Sequence, residues 1–357
     1  MLPLLVAAAL ALPAAASARN LVRVQRELAK LGYTVAAAQS EGAARIALTP
    51  NDPYLAAGFG WSLARTQLPD AWSVTTGAPQ TMIAVLDTGV DPATADLAGA
   101  LVPGANFVTA DGSTADDNGH GTEVASLIAA RIGNGTGIAG VCGSCSIMPV
   151  KVMGSDGTGY WSTVAAGVVW ATDHGAKVVN LSIAGPIGED VLQRAIEYAQ
   201  AYDVVVVAAA GNDHLGQPAY PAAYPGVVSV EATDENDNLY SFSNYGPAVT
   251  LAAPGCVATI GLGNALVGGC GTSFASPIVA GIAGLVRSNQ PTFGAAQVIG
   301  ALESGAERVG NVDSAYGRLN AYRALTGTSP PVAVGKRSST AAAPRRTPRR
   351  RPHRARS

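Results

Sequence analysis

Apolar runs and amphipathic segments alternate through the middle of the chain. Short continuous apolar runs rich in β-branched residues predict buried strands, and apolar residues repeating every three or four positions predict helices. Strands are predicted at 81–86, 147–152, 176–181, 204–209, 227–232 and 249–252, and helices at 120–128, 162–173, 189–201, 273–289 and 294–304. Strands that alternate with helices are typical of a mostly parallel sheet covered on both faces. The pattern therefore predicts a three-layer α/β/α fold with a mostly parallel central sheet.

The two ends of the chain do not continue this pattern. Residues 2–18 form an apolar run that ends in Ala16-Ser17-Ala18, which predicts a secretory signal over 1–18 with a small-residue cleavage site. A membrane anchor is the alternative, but the run is short for a span. We therefore expect a secreted, extracellular protein without a stable membrane span. Residues 19–50 are interpreted as a short removable leader and residues 51–325 as the mature domain.

Charge divides the chain in the same way. Hydrophobic residues make up 48% of the 357 residues and charged residues 13%, which is typical of a compact globular domain. The formal net charge is −2, yet the segment 326–357 holds nine Lys and Arg residues and no acid. The rest of the chain is acidic, so we expect no nucleic-acid binding through it. The basic segment is predicted to be a disordered tail, and salt-dependent attachment to nucleic acid or a cell surface through it stays open.

The placement of the four cysteines suggests two pairs, Cys142 with Cys145 and Cys256 with Cys270. Two disulfides fit an exported protein that is stabilised mainly by its core. For Cys142 and Cys145, a redox pair or metal ligands are the alternatives. Cys256 and Cys270 flank a glycine-containing turn, so a hairpin that leads toward Ser273 is predicted there.

The stretch Gly271-Thr272-Ser273 predicts a tight glycine turn that delivers Ser273 to the first turn of a helix. Pro277 lies early in that helix, where a missing N–H is tolerated. Free backbone N–H groups and the positive end of the helix dipole can stabilise a negative oxygen, which acyl transfer requires. The alternative is a serine that only caps a buried helix.

Two other motifs favour a catalytic role for Ser273 over a capping role. Asp87 ends a predicted parallel strand, where ligands bind in open α/β sheets, and His120 begins a predicted helix between glycines. Taken alone, Asp87 is equally a turn residue and His120 a helix-start histidine. Together with Ser273 they follow the order Asp, His, Ser, which is one of the known chain orders of a serine triad.

With these motifs the chain resembles the subtilisin-like serine proteases, or subtilases. The similar stretches lie in the correct order at 51–54, 83–89, 119–122, 208–212, 271–273 and 317–321. The resemblance implies a subtilisin-like fold and a serine endopeptidase, with Ser273 as nucleophile, His120 as general base and Asp87 orienting the imidazole. It makes the Asn212 side chain an oxyanion donor together with the Ser273 N–H. The alternative for Asn212 is a turn asparagine after a strand.

The resemblance also implies that the substrate pairs with two exposed segments. The two segments comprise Gly157, Thr158 and Gly159, and Ser182, Ile183, Ala184 and Gly185. The wall of the pocket for the residue before the cleaved bond (P1) comprises Ala210, Gly211 and Ala219. The pocket side chains are small and uncharged, so we expect broad specificity with an apolar P1 preference. Trp161 is either part of a more distant apolar pocket or an ordinary core tryptophan.

A calcium site is the cofactor that the resemblance implies. Its ligands would be Asp52, Asp96 and Asn134, with the carbonyl groups of Thr136 and Ile138. Hard oxygen ligands of this kind suit Ca²⁺, although plain polar loop residues are the alternative. A second calcium loop of the family falls at 106–115 and keeps one carboxylate, Asp111, so we expect that loop not to bind.

The sequence departs from the family pattern at Glu123 and Ile278, which replace two histidines. Glu123 puts a carboxylate one helical turn from His120, and we expect it to raise the pKa of the imidazole. We expect a monomer that acts on protein or peptide substrates. Its own leader is expected to be an inhibitor. The competing interpretation is a catalytically inactive subtilase-fold protein that binds peptides or attaches to surfaces.

Overall fold

A seven-stranded sheet forms the centre of the molecule. The computed structural model describes residues 50–310 and 312–329, so the predicted signal, nearly all of the leader and most of the basic tail lie outside the described residues. The strands are β1 (Met82–Asp87), β2 (Ala105–Asn106), β3 (Ser146–Lys151), β4 (Val178–Leu181), β5 (Val205–Ala209), β6 (Val228–Thr233) and β7 (Leu251–Pro254). Their order in the sheet is β2-β3-β1-β4-β5-β6-β7, and every neighbouring pair is parallel.

Helices cover the sheet, and one hairpin stands apart from it. The helices are α1 (Trp61–Arg65), α2 (Leu68–Trp72), α3 (His120–Ala129), α4 (Trp161–Asp173), α5 (Asp190–Ala201), α6 (Thr272–Asn289), α7 (Ala295–Gly305) and α8 (Ala321–Thr326). The hairpin is formed by antiparallel strands β8 (Cys256–Ile260) and β9 (Leu266–Cys270). Within the described ranges, no helix is both long enough and apolar enough to cross a membrane.

Two hydrophobic cores lie on opposite faces of the sheet. Along β1, Ile83 and Val85 belong to the core shared with α3 and α6, whereas Ala84 and Leu86 belong to the core shared with α4 and α5. Side chains alternate across a strand, so a strand covered on both faces must be apolar at consecutive positions. The predicted three-layer α/β/α fold is therefore confirmed.

The predicted strands and helices of this fold differ from the observed ones by at most two residues at either end. The pattern did not reveal β2, because two residues are too few to show a period, nor the short helices α1, α2 and α8. The carboxyl ends of the parallel strands meet at one edge of the sheet. Asp87 ends β1 there, and Ser182 directly follows β4.

Candidate active site

Asp87 and His120 form a direct hydrogen bond. His120 begins α3, and its Nδ1 lies 2.8 Å from Oδ1 of Asp87, which is fully buried at the end of β1. The Thr88 backbone N–H donates to the same carboxylate oxygen at 2.8 Å. A carboxylate only accepts, so Nδ1 carries the hydrogen and Nε2 is left as the basic nitrogen. This pair therefore defines both the tautomer and the orientation of the imidazole.

The surroundings favour the charged imidazolium. The pKa of His120 is raised to about 9, chiefly by the negative charge of Asp87. Burial of the ring opposes this rise, and the charges of Glu123 and Asp116 add to it. The Glu123 effect has the direction that the sequence predicted. Burial in turn raises the pKa of Glu123 itself.

Asp116, which the sequence reasoning did not single out, holds the start of α3. Its carboxylate accepts hydrogen bonds from the backbone N–H groups of Asn118, Gly119 and Thr122 at 2.9–3.0 Å. It also accepts from the hydroxyls of Thr88 at 2.8 Å and Thr122 at 2.6 Å. Although burial opposes it, these bonds keep the pKa of Asp116 below its ordinary value. The N-cap of α3 is Gly119, so Asp116 lies outside the position that capping preferences identify.

Lys151 is a second residue that the sequence did not point to. It ends β3 beside Asp87 in the sheet register, and only 3% of it is exposed. Its Nζ donates to the Thr88 carbonyl and, at 2.6 Å, to Asp117. The ammonium group therefore ties the end of β1 to the loop before His120.

Ser273 is the second residue of α6. Its Oγ donates to the Ser182 carbonyl at 3.3 Å, and the Ser182 hydroxyl donates to the Ser273 carbonyl at 2.8 Å. The ring of the next residue, Phe274, makes an edge-to-face contact with the His120 ring at a centroid distance of 5.8 Å. The start of α6 therefore lies against the imidazole.

Asn212 follows β5 and is anchored through its side-chain oxygen. That oxygen accepts from the Thr272 N–H at 2.9 Å and from the Thr272 hydroxyl at 3.0 Å. A Cβ placed on Gly271 would lie 3.4 Å from Asn212 Nδ2 and 3.7 Å from the Ser273 nitrogen. Two nitrogen donors thus border one small space that a side chain at Gly271 would fill. The φ of 153° at Gly271 also favours glycine.

The segments predicted to bind substrate lie on either side of Trp161. Gly157, Thr158 and Gly159 precede α4, and Ser182, Ile183, Ala184 and Gly185 follow β4. Trp161 Nε1 donates to the Ile187 carbonyl at 3.0 Å. Its ring leaves no room for a side chain at Gly185, because a Cβ placed there would lie 2.6 Å from Trp161 Cζ2. Trp161 is partly buried against the core, and its ring packs beside the segment 182–185.

The three residues predicted to line the P1 pocket lie together. The Ala219 N–H donates to the Ala210 carbonyl at 2.7 Å. A Cβ on Gly211 would lie 3.1 Å from Cβ of Ala219. All three are buried, and the side-chain amide of Asn244 also borders this position, closer still to the same Cβ.

The residues predicted to bind calcium also come together. Both carboxylate oxygens of Asp52 accept from the Gly133 N–H at 2.9–3.1 Å. Asp96 accepts from the Asn134 side chain at 2.9 Å and from the Ile138 N–H at 2.8 Å. The Thr136 N–H donates to the Asn134 side-chain oxygen at 2.8 Å.

Electrostatics at this cluster are unfavourable for the carboxylates alone. The pKa of Asp96 is raised, chiefly by burial; its hydrogen bonds oppose the rise, and the charge of Asp52 adds to it. Among the described residues, no group of three or more His, Cys, Asp or Glu side chains could hold a metal ion. The side-chain oxygens here belong to two carboxylates and to the amides of Asn134 and Asn51, whose oxygen accepts from the Gly135 N–H at 3.0 Å.

The loop at 106–115 also has an amide donor among its oxygen atoms, as the predicted calcium cluster has at Asn134. The side-chain nitrogen of Asn106 donates to Thr109 Oγ1 at 2.8 Å, to Asp111 Oδ1 at 3.3 Å and to the Ser113 carbonyl at 2.5 Å. An amide donor therefore faces the oxygen atoms that a cation would need.

The structure joins Cys142 to Cys145 and Cys256 to Cys270. Cys142 and Cys145 are fully buried in the core. Cys256 and Cys270 are directly opposite in the β8–β9 register, and Cys270 lies three residues before Ser273.

Comparison with known proteins identifies the class to which this fold and site belong. The profile of the subtilase family of S8 peptidases matches residues 79–318. The chain is 42% identical over 280 residues to thermitase of Thermoactinomyces vulgaris, which covers 78% of this chain and 99% of thermitase. It is 40% identical over 284 residues to the thermophilic serine proteinase of Bacillus sp. strain AK1, which covers 78% of this chain and 70% of that protein.

A solved structure leads to the same family. Proteases from Pseudoalteromonas arctica PAMC 21717 superpose with a TM-score of 0.71 at 29% identity, covering 79% of this chain and all of the other. The chain belongs to the subtilase family. It is therefore a serine endopeptidase, a hydrolase of the subtilisin-like type, as the resemblance implied.

Proposed function

We propose that the protein is a secreted endopeptidase whose catalytic triad is Asp87, His120 and Ser273. The observation that carries this proposal is the 2.8 Å hydrogen bond between the buried Asp87 carboxylate and His120, with the start of α6 against the imidazole. The family relationship supports the same assignment.

In the first half of the proposed reaction, Ser273 Oγ attacks the carbonyl carbon of the scissile peptide bond. A serine hydroxyl is a weak nucleophile, so His120 Nε2 removes its proton as the new C–O bond forms. The negative carbonyl oxygen accepts hydrogen bonds from Asn212 Nδ2 and the Ser273 N–H, the two donors that border the space beside Gly271. His120 then protonates the leaving amine, and the C–N bond breaks to give an acyl-enzyme.

In the second half, water replaces the amine. His120 takes a proton from the water while the water oxygen attacks the acyl carbon. His120 then returns the proton to Ser273 Oγ as the ester bond breaks. Asp87 stays ionised throughout and stabilises the imidazolium. Since neutral His120 is the base, its raised pKa predicts that activity increases with pH toward about 9.

We infer broad specificity with an apolar preference at P1. The small, buried residues Ala210, Gly211 and Ala219 offer no charge to a basic or acidic P1 side chain. The segments 157–159 and 182–185 would pair with the extended peptide backbone.

Labelling with a fluorophosphonate probe tests the triad directly, because the probe reacts only with an activated serine. We expect the secreted, leader-free protein to be labelled, and the Ser273→Ala and His120→Ala variants to give no labelling. The Ser288→Ala variant, at the other end of α6, should label like the wild type. Absence of labelling in folded wild-type protein would favour the inactive peptide-binding alternative.

We further propose that Ca²⁺ binds at Asp52, Asp96 and Asn134, with carbonyl groups of Thr136 and Ile138. Two buried carboxylates that repel one another gain stability from a cation between them, and hard oxygen donors fit Ca²⁺. A bound ion stabilises the folded state by mass action.

Thermal unfolding with and without a calcium chelator tests this site. We expect the chelator to lower the Tm of the wild type and of Asp111→Asn, a control in the 106–115 loop. Asp96→Asn should have a lower Tm that no longer responds to the chelator. A wild-type Tm that is the same in calcium and in chelator would overturn the proposal.

Secretion and processing are part of the same proposal. The apolar run at 2–18 would direct export, and residues 19–50 would be removed and could inhibit the enzyme before removal. We propose a monomer. Mass spectrometry of the secreted protein would show whether its first residue lies near position 51 and whether the basic tail is retained.

A further inference from the structure

A chain of buried side-chain hydrogen bonds runs behind Ser273. The Ser276 hydroxyl donates to Asn180 Oδ1 at 2.8 Å, and Asn180 Nδ2 donates to the Ser182 hydroxyl at 3.0 Å. The Ser182 hydroxyl donates in turn to the Ser273 carbonyl at 2.8 Å. Asn180 and Ser276 are fully buried, and Ser182 is 4% exposed. The chain begins and ends in the first turns of α6, so it closes a ring through β4.

The direction of every bond in this ring is determined by chemistry. The Ser273 carbonyl can only accept, so the Ser182 hydroxyl must donate to it and accept from the Asn180 amide. The Asn180 oxygen then accepts the remaining hydroxyl, that of Ser276. Each of these polar groups has a partner, and such a fully satisfied buried network rigidifies the residues that it joins.

Asn180 is the unusual member of the ring. It lies within β4, on the face that carries Val178 toward the α6 core. An apolar residue would avoid the cost of burying an amide there. The amide is instead placed so that it bonds to both the strand end and the nucleophile helix.

We propose that Asn180 and Ser276 are positioning residues, which fix Ser273 for attack by holding Ser182. The proposal rests on the proposed role of Ser273 as nucleophile. Ser182 makes two reciprocal contacts with Ser273, since its carbonyl also accepts from Ser273 Oγ at 3.3 Å. Ser182 is also the first residue of the segment 182–185. Pairing of the substrate with that segment would therefore act on the same serine that holds the nucleophile.

The test compares the second-order rate of fluorophosphonate labelling, and kcat and KM on a peptide substrate, among variants of α6. Ser276→Ala should reduce the labelling rate and kcat by about tenfold with little change in KM, because a displaced nucleophile lowers reactivity more than binding. Ser276→Thr keeps the hydroxyl and should retain most of the activity. Ser288→Ala is the matched control, because that hydroxyl also bonds from α6 to a neighbouring segment, at Thr81, but far from Ser273.

The outcomes separate this proposal from the proposed function. Labelling of the wild type but not of Ser273→Ala keeps the triad, and Ser276→Ala then decides the positioning role. A wild-type labelling rate in Ser276→Ala, or an equal loss in Ser288→Ala, would overturn it. In the Ser182→Ala background, Ser276→Ala should have little further effect; two full, independent losses would overturn the route through Ser182.

Discussion

Three carboxylates near His120 act on it in different ways. Asp87 bonds to the imidazole directly, whereas Asp116 bonds to the backbone around it. Glu123 lies three residues further along α3 and acts on His120 through its charge. Orientation of the imidazole therefore depends on Asp87 and Asp116, and Glu123 can be changed to adjust the pKa of His120 alone.

Replacing Glu123 by Gln should lower the pKa of His120. With less negative charge nearby, the imidazolium loses its proton at lower pH, so the neutral base becomes available earlier. The acid limb of the kcat/KM profile should move to lower pH by on the order of 0.5–1 unit. The measurement is a pH–rate profile of the wild type and the variant at constant ionic strength.

Glu197→Gln, at an exposed position of α5, provides a control for a change in total charge. Its profile should coincide with that of the wild type. A Glu123→Gln profile that also coincides would contradict the electrostatic role of Glu123.

At the scale of elements, the β8–β9 hairpin leads into the turn that carries Ser273. The Gly271 N–H donates to the Gly255 carbonyl at 2.8 Å, which extends the ladder by one pair beyond Cys256 and Cys270. The disulfide joins the last pair of the hairpin itself. Hairpin pairing and the disulfide thus constrain the same end, next to Ser273.

Removing this disulfide in a Cys256→Ala/Cys270→Ala variant should lower stability more than activity. The closed loop spans a sequence separation of 14 residues, for which loop entropy predicts a loss of about 3 kcal/mol. We expect a lower Tm, with fluorophosphonate labelling retained at 25 °C because the strand pairing remains. An unchanged Tm would argue against this bridge in the folded protein.

The two disulfides should also differ in their reaction with reductant. Cys270 is exposed and Cys256 partly so, whereas Cys142 and Cys145 are fully buried. Brief reduction followed by alkylation should modify Cys256 and Cys270 first, as measured by peptide mass spectrometry. Equal modification of all four would contradict this order.

At the scale of the whole molecule, the segment 312–318 packs along the edge of the sheet at β7. Arg318 pairs with Ala252 of β7 and with Glu307, and its guanidinium binds Asp237 and Glu307 at 2.6–2.8 Å. Under this segment, Glu231 of β6 is fully buried and accepts from the Ser314 N–H at 3.2 Å. Burial raises the pKa of Glu231 to about 7.

This buried acid predicts how stability depends on pH. Because the folded pKa lies above the ordinary 4.5, the folded state holds the proton more tightly than the unfolded state. The stability that this proton contributes is complete below about pH 4.5 and is lost as the pH rises through about 7. Glu231→Gln has no ionisable group there and avoids this loss. Its free energy of unfolding relative to the wild type should therefore be higher at pH 8.5 than at pH 5, by up to about 3 kcal/mol.

Denaturant unfolding at the two pH values measures this difference. Glu197→Gln should give the same stability relative to the wild type at both. If Glu231→Gln did so as well, the buried carboxyl would not be the source of the pH dependence.

Local patterns determined much of this protein. The strand and helix periods predicted the three-layer fold, since each period depends on neighbouring positions alone. Glycines around Asp87, His120 and Ser273 marked the three motifs because each requires a tight backbone. The hairpin likewise followed from the glycine-containing turn between Cys256 and Cys270, whereas the calcium ligands stay a prediction of the family resemblance.

Only the tertiary structure decided how those motifs are held. The bond from Thr88 to Asp116 crosses 28 positions, and the bond from Ser276 to Asn180 crosses 96. The amide of Asn106 points at the oxygen atoms of the 106–115 loop. Such partners depend on which side chains the folded sheet brings within 3 Å, and a linear pattern carries no information about that distance.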